Sequence, residues 1–239
     1  MDSFLRILNI GNTHVQVFDS PRNGSFVPAG CFNTASFDPQ TQLRYLPALA
    51  VSSVVPALTD EFRRLGAFIV SGKMELPFVP SQLELASVGA DRLANAAALL
   101  SGPLPAVSVD FGTAITFEFV TASRQFAGGA ILPGRMLLRH ALHDHTAQLP
   151  LIGLADTLPD LPGLNTAEAM RIGTDRAALG AIRELIRQWR ELCAPEPLQV
   201  TACGGDRKFF LKYLDGVNDG GDYFTVGGIR QIWEYHHAR

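Results

Sequence analysis

Two short segments of this chain echo one another 101 residues apart, Asn9 against Asp110. Asn9-Ile10-Gly11-Asn12-Thr13 is followed by Val15-x-Val17, and Asp110-Phe111-Gly112-Thr113-Ala114 by Ile115-x-Phe117-x-Phe119. In both, a polar residue ends an apolar run, an apolar residue and a glycine follow, and a small hydroxyl or amide residue precedes a second run. Apolar residues at every second position mark a half-buried strand, so each segment reads as strand, glycine turn, strand. A repeat at about one domain length predicts a duplicated α/β domain with a cleft between the halves. A short echo can also arise by chance in a β-rich chain, so this feature alone leaves both readings open. The predicted boundary falls at Pro103-Leu104-Pro105, giving an N-terminal domain of 1–104 and a C-terminal domain of 105–239.

The rest of the chain alternates strands with helices, as an α/β protein requires. Phe4–Ile10, His14–Phe18, Leu49–Val55, Ala106–Asp110, Ile115–Val120 and Leu198–Ala202 read as strands. Helices are expected at Thr59–Leu65, with Thr59 as N-cap, at Asp91–Leu100, from Pro133 to about Thr146, and at Thr166–Cys193. Two more follow, near Arg207–Leu214 and Gly228–His236. No apolar run approaches the roughly 18 residues that a membrane span needs. The N-terminal run lacks the basic flank of a signal peptide, so the expectation is a cytoplasmic protein with no membrane partner. A net charge of −3 gives no basic footprint for nucleic acid. Cys31, Cys193 and Cys203 are too scattered for a zinc site or a disulfide framework.

Several blocks can carry chemistry, and each has a plain structural alternative. In the two turns, glycine lets a ligand approach the backbone, where N–H groups and the Thr13 and Thr113 hydroxyls can face phosphate oxygens. Asp110, at a strand end, can hold a cation. Equally, these are ordinary hairpin turns in which Gly11 and Asn12 supply positive φ. Gly204-Gly205, after a strand, can admit a nucleotide or can be a common loop. Gly89-Ala90-Asp91-Arg92 opens an Ala-rich helix: Asp91 can serve as general base beside an anion-binding Arg92, or simply as N-cap. Asn165 with Glu168 three residues on fits a capping box. His140, His143 and His145 lack the spacing of a metal site. GxxxxGK[ST], GxGxxG after a strand, GxSxG and the protein-kinase signatures are all absent from the sequence.

In order and spacing these blocks resemble the type III pantothenate kinase family. The resemblance rests on Asn9–Thr13, Val51-Ser52-Ser53-Val54-Val55-Pro56, Gly89–Arg92, Asp110–Ala114 and Gly128-Gly129-Ala130-Ile131-Leu132-Pro133-Gly134. Thr146–Pro150, Asn165–Met170 and Cys203-Gly204-Gly205 extend it over nearly the whole chain. It implies an actin-like fold of two ribonuclease-H-like domains around a nucleotide cleft, usually in a homodimer. The implied reaction is ATP-dependent phosphorylation of pantothenate to 4'-phosphopantothenate, the first step of coenzyme A synthesis, with Mg²⁺ and a monovalent cation, K⁺ or NH₄⁺. By the same likeness Asp91 is the general base, Gly89, Ala90 and Arg92 contact pantothenate, and Thr166 reaches the substrate across the dimer interface. Asn9, Gly11, Asn12, Thr13, Gly112, Thr113, Gly204 and Gly205 line the nucleotide, and Asp110 belongs to the monovalent-cation site.

The chain departs from the family pattern at named positions. Asn9 stands where the family's first phosphate motif begins with Asp, replacing a charge by an amide of similar size. Leu164 occupies a position where a basic residue is common, and no aromatic residue lies between Val79 and Val88. Two expectations therefore stand together: an active kinase, or a weakly active or non-catalytic binding protein with a disarmed metal site.

Overall fold

The structure is a computed structural model, and it describes residues 4–21, 24–43, 48–79 and 81–237. The first half runs β1 (Leu5–Ile10), β2 (His14–Ser20), β3 (Val27–Asn33), α1 (Pro39–Gln42), β4 (Ala48–Ser53), α2 (Pro56–Arg64), β5 (Phe68–Ile69) and α3 (Ala90–Leu99). The second runs β6 (Ala106–Phe111), β7 (Ala114–Val120), β8 (Phe126–Pro133), α4 (Arg135–Asp144), α5 (Thr166–Cys193), β9 (Gln199–Cys203), α6 (Arg207–Leu211), β10 (Asn218–Asp219) and α7 (Phe224–His237).

The echo in the sequence is an echo in topology. One sheet has the order β3-β2-β1-β4-β5 and the other β8-β7-β6-β9-β10. In each, the first three strands form an antiparallel meander and the last two add in parallel. Asn9 pairs with Gln16 and Ser52. Asp110, at the same place in the other sheet, pairs with Thr116 and Cys203. The strands of the two sheets separate on either side of residues 104 and 105, but α7 packs against α3, β1 and β4.

Side chains alternate across a strand, and that alternation decides what surrounds α3. Leu5, Ile7 and Ala50 of the first sheet share one apolar cluster with Ala106 and Val120 of the second. Leu93, Ala94 and Ala97 of α3 and Val226, Ile229 and Ile232 of α7 fill the same cluster. Helix α3 and its neighbour α7 are thus packed between the inner faces of both sheets. A Cβ on Gly228 would fall 1.8 Å from the Ala94 carbonyl oxygen, so glycine sets the close approach of the two helices. The outer faces pack separately, with Leu8, Ile10, Val15 and Val51 around Phe62, and Val107, Val109 and Phe111 around Ile182 and Phe210. Followed along each inner face, Leu5-Ile7-Asn9 and Ala106-Ser108-Asp110 become polar towards the glycine turn.

Some expectations shift. Helix α2 starts at Pro56 rather than Thr59, because proline suits a first helical position that needs no N–H partner. Thr59 lies inside it and bonds back to the Val55 carbonyl at 2.9 Å. Strands β3 and β8 were not expected, nor were the two-residue strands β5 and β10. Asp91 is not the N-cap of α3: Gly89 holds that place and Asp91 lies within the first turn. Asn165 does cap α5, accepting from Glu168 N at 3.0 Å, and the Glu168 carboxylate accepts from Leu164 N at 2.8 Å.

Candidate active site

The two glycine turns meet. Gly11 N donates to the His14 carbonyl at 2.9 Å, and Gly112 N to the Ala114 carbonyl at 3.1 Å, closing turns at the same place in each sheet, the second one residue shorter. Their tips touch through the Thr13 and Thr113 hydroxyls, 3.0 Å apart and open to solvent. Positive φ explains neither glycine, since Gly11, Asn12 and Gly112 all lie outside the left-handed region. Internal packing does not demand them either: a Cβ on Gly11 would come no closer than 3.5 Å to the His14 carbonyl, an ordinary contact. Neither conformation nor packing requires these glycines, and without a Cβ the backbone of both turns is open to close approach.

Gly204 is a different case. Its φ is +85°, and a Cβ there would fall 2.3 Å from Asp110 Oδ1 and 2.6 Å from Phe111 N. Only glycine lets the β9 turn close over Asp110. Gly205 beside it faces open space. Gly134, which starts α4, donates to the Thr113 carbonyl at 3.0 Å, so a helix N-terminus also abuts the second turn.

Helix α3 brings its polar side chains to the same end. A Cβ on Gly89 would lie 3.6 Å from Val54, and Val54 N donates to the Ile10 carbonyl at 3.0 Å, which ties the helix start to the first turn. The Asp91 carboxylate accepts from Arg92 N at 2.8 Å. Burial raises its pKa above the usual carboxylate range, against the pull of that bond and of the Arg92 charge. One turn on, buried Asn95 donates to Asp110 Oδ2 at 3.0 Å and accepts from Thr225 of α7 at 2.7 Å. Burial pushes Asp110 up to about 6; the Asn95 bond opposes this and the Asp91 charge adds to it.

Arg92 reaches the second sheet, where its Nε donates to Glu118 Oε1 at 3.0 Å and its Nη2 to the Phe117 carbonyl at 3.2 Å. Glu118 is fully buried and its other oxygen accepts from Ser108 at 2.8 Å. Burial raises its pKa to about 7, opposed by Arg92 and reinforced by Asp110. Sequence reasoning missed Glu118, Asn95 and Thr225. A carboxylate inside the apolar run Ile115–Val120 was the one available signal.

The remaining sites fall elsewhere. Asn9 is half-buried and its amide donates to Gln16 Oε1 at 3.4 Å. Thr166 is exposed at the start of α5, and no described hydrogen bond joins it to Asp91, Arg92 or the turns. Behind the second turn, Arg135 grips Asp206 with Nε at 2.7 Å and Nη2 at 3.0 Å, and reaches Asp175, which also receives Arg139 at 2.7 Å. These buried pairs also bind the carbonyls of Gly153 and Ala155, fixing the segment that leads to α5. His140 faces Asp144, and His143 bonds the Leu149 carbonyl at 2.8 Å. An open groove of about 530 Å³, lined by Phe26, Ala98, Ser101, Tyr223 and Arg230, lies at the opposite end of α3 from Asp91.

Among the described residues no group of three or more His, Cys, Asp or Glu forms a metal cage. Asp110 is the carboxylate at the turns, with Oδ2 committed to Asn95 and Oδ1 beside Gly204. Such a donor set fits a cation carried largely by phosphate oxygens and water, the usual state of Mg²⁺ with a nucleotide.

Two sheets of one topology, a shared pair of helices between them and glycine turns meeting at one end define the actin-like ATPase class of fold. Solved structures agree: a conserved Baf-family protein from Campylobacter jejuni matches with a TM-score of 0.65 at 19% identity, covering 98% of this chain and 100% of its own. The ethanolamine utilization protein EutJ from Carboxydothermus hydrogenoformans matches at 0.54 and 12% identity, covering 96% of this chain and 89% of its own. In sequence, the profile of the type III pantothenate kinases matches residues 29–188. The type III pantothenate kinase of Rubrobacter xylanophilus is 35% identical over 204 residues, 80% of this chain and 77% of its own. That of Roseiflexus castenholzii is 34% identical over 212 residues, 85% and 80% of the two chains. The chain belongs to the type III pantothenate kinase family. Its enzyme class is pantothenate kinase, an ATP-dependent activity of coenzyme A biosynthesis.

Proposed function

We propose that this chain transfers the γ-phosphoryl group of ATP to the primary hydroxyl of pantothenate at the junction of its two glycine turns and the start of α3. The observation that carries the assignment is the convergence of the Thr13–Thr113 contact, the Gly204 turn on Asp110 and the first turn of α3 at one end of the sheets. The backbone of Gly11, Asn12, Gly112, Gly204 and Gly205, with Asn9, Thr13 and Thr113, receives the nucleotide phosphates. Gly89, Ala90 and Arg92 hold pantothenate. Asp91 accepts the hydroxyl proton as the oxygen attacks phosphorus; burial makes its carboxylate more basic, which suits that role. Mg²⁺, when bound with ATP, neutralises phosphate charge. Catalysis is then chiefly positioning and charge compensation. Asp110 holds the monovalent cation, K⁺ or NH₄⁺. Thr166 serves the neighbouring site in a cytoplasmic homodimer, whose subunits divide into domains at residues 104 and 105.

Asn9 favours a second reading, a kinase scaffold whose metal use is weakened or lost. A coupled ADP-release assay with ATP, pantothenate, Mg²⁺ and K⁺ on wild type, Asp91→Asn and Asn9→Asp separates them. Wild-type turnover that vanishes in Asp91→Asn supports the kinase. A silent wild type rescued by Asn9→Asp supports the disarmed scaffold, and silence in all three overturns both.

A further inference from the structure

We infer that Glu118, held by Ser108, is the positioning residue that docks one edge of the Arg92 guanidinium and leaves the other edge to bind the acid group of the substrate. This rests on the assignment of Arg92 to pantothenate and adds how the side chain is aimed. Guanidinium is a planar fork with five N–H donors, and Nε and Nη2 share one edge. Arg6 and Arg135 each give that edge to a single carboxylate, Asp19 and Asp206. Arg92 instead splits it between Glu118 and the Phe117 carbonyl. No described hydrogen bond involves its Nη1, so the Nη1–Nη2 end is left to receive a second, bidentate carboxylate.

The docking surface is shaped for this. Gly129 lies opposite Glu118 in the β7–β8 ladder, and a Cβ there would fall 3.2 Å from Arg92 Nη2 and 1.6 Å from the Phe117 carbonyl oxygen. Glycine therefore clears the place where the guanidinium rests. Ser108, opposite Glu118 on β6, fixes the second carboxylate oxygen at 2.8 Å. Both acceptors of Arg92 are thus rigid strand groups, whereas Arg92 alone would be a flexible side chain at a helix start. Stability does not require the arrangement, because well-packed apolar residues can replace a buried ion pair at little cost. The clamp is better explained by orientation.

The test uses the full chain as wild type, Ser108→Ala, Glu118→Ala, Glu118→Gln and Arg92→Ala. Isothermal titration with pantothenate, and with a neutral N-alkyl amide of pantothenic acid, reads the acid contact. Glu118→Ala is expected to weaken pantothenate binding about 10- to 100-fold, as loss of hydrogen bonding to a charged group does, while the amide changes less than about threefold. Arg92→Ala should show the same pattern. Glu118→Gln, which retains an acceptor for Nε, should recover most of the affinity, and KM for pantothenate should move more than kcat. Ser108→Ala should show a smaller loss of the same sign and serves if Glu118→Ala does not fold. Equal weakening of acid and amide, or unchanged acid binding, overturns the inference. Wild type that binds pantothenate without turnover removes only the kinase assignment, and the titration still decides. Wild type that binds neither ligand removes both.

Discussion

Replacing Gly11 by alanine separates two reasons for a glycine at a strand turn. Its φ is not left-handed, and an added methyl would meet protein no closer than 3.5 Å. The folded state therefore accepts alanine, and the unfolded chain loses freedom, which stabilises by about 0.4–1 kcal/mol. For a chain of this length that is a melting temperature raised by roughly 1–4 °C. The same methyl occupies the space through which a phosphate approaches the turn. Losing one such charge-assisted contact costs about 1.5–3 kcal/mol, or a 10- to 100-fold rise in KM for ATP. Gly204→Ala supplies the contrast. Its φ of +85° and the 2.3 Å approach to Asp110 Oδ1 put strain in the fold itself. Left-handed strain and overpacking together cost about 2–5 kcal/mol, a melting temperature lower by roughly 5–15 °C. Thermal melts and ATP titrations in the coupled assay measure both. A Gly11→Ala protein with an unchanged KM for ATP would refute the assignment of this turn to a ligand.

Asp91→Asn should lower turnover by about 10²- to 10⁴-fold, the contribution of a general base, with melting unchanged, since the amide oxygen can still accept from Arg92 N. Asn9→Asp should shift half-maximal activity to a lower Mg²⁺ concentration by about tenfold if a carboxylate there joins the metal site, read by Mg²⁺ titration at fixed ATP. Glu118 predicts a pH dependence of stability. Its folded pKa is raised from 4.5 to about 7, so the stability tied to its neutral form is complete below about 4.5 and is lost as pH rises through 7. Relative to Glu118→Gln, wild type should lose about 3 kcal/mol between pH 4.5 and 8 in denaturant titrations. A gap that does not change with pH would show that Glu118 ionises as an ordinary surface carboxylate.

What the sequence made legible follows from where each residue's partner lies. The turns at Gly11 and Gly112, the capped start of α5 at Asn165 and the strands of alternating residues are local patterns, and they appear where expected. Strand β3 was hidden because Val27–Asn33 contains Pro28 and Gly30 and is largely exposed, so it carries no apolar alternation. In β8, Gly128-Gly129 reads as loop; the neighbouring strand supplies the pairing, and Gly129 is there for Arg92 and the Phe117 carbonyl. Glu118 and Asn95 were invisible for a different reason. Their partners, Arg92, Asp110 and Thr225, lie in other elements, and one segment cannot reveal a contact made only when α3 docks between two sheets.

The two halves share a backbone but not a charge, and the difference bears on how the cleft can hold anions. Around the start of α3 lie three carboxylates, Asp91 and Glu118 bonded to Arg92 and Asp110 bonded to Asn95. The charge on Asp91 already raises Asp110, and that on Asp110 raises Glu118. A fourth carboxylate at position 9 would add to this repulsion unless a cation were always present. Asn9 avoids that cost while keeping a donor and an acceptor beside Gln16, and its other strand neighbour, Ser52, is buried with a hydroxyl that has no hydrogen-bond partner among the described residues. In the second half, Asp110 is held by Asn95, which Thr225 holds in turn, so its carboxylate is fixed from both helices between the sheets. Beside the first turn, Asn9 and its strand neighbours Gln16 and Ser52 therefore offer only neutral groups, amide and hydroxyl. On the proposed reading, cation binding falls to the second sheet, where the Asp110 carboxylate is already braced by Asn95.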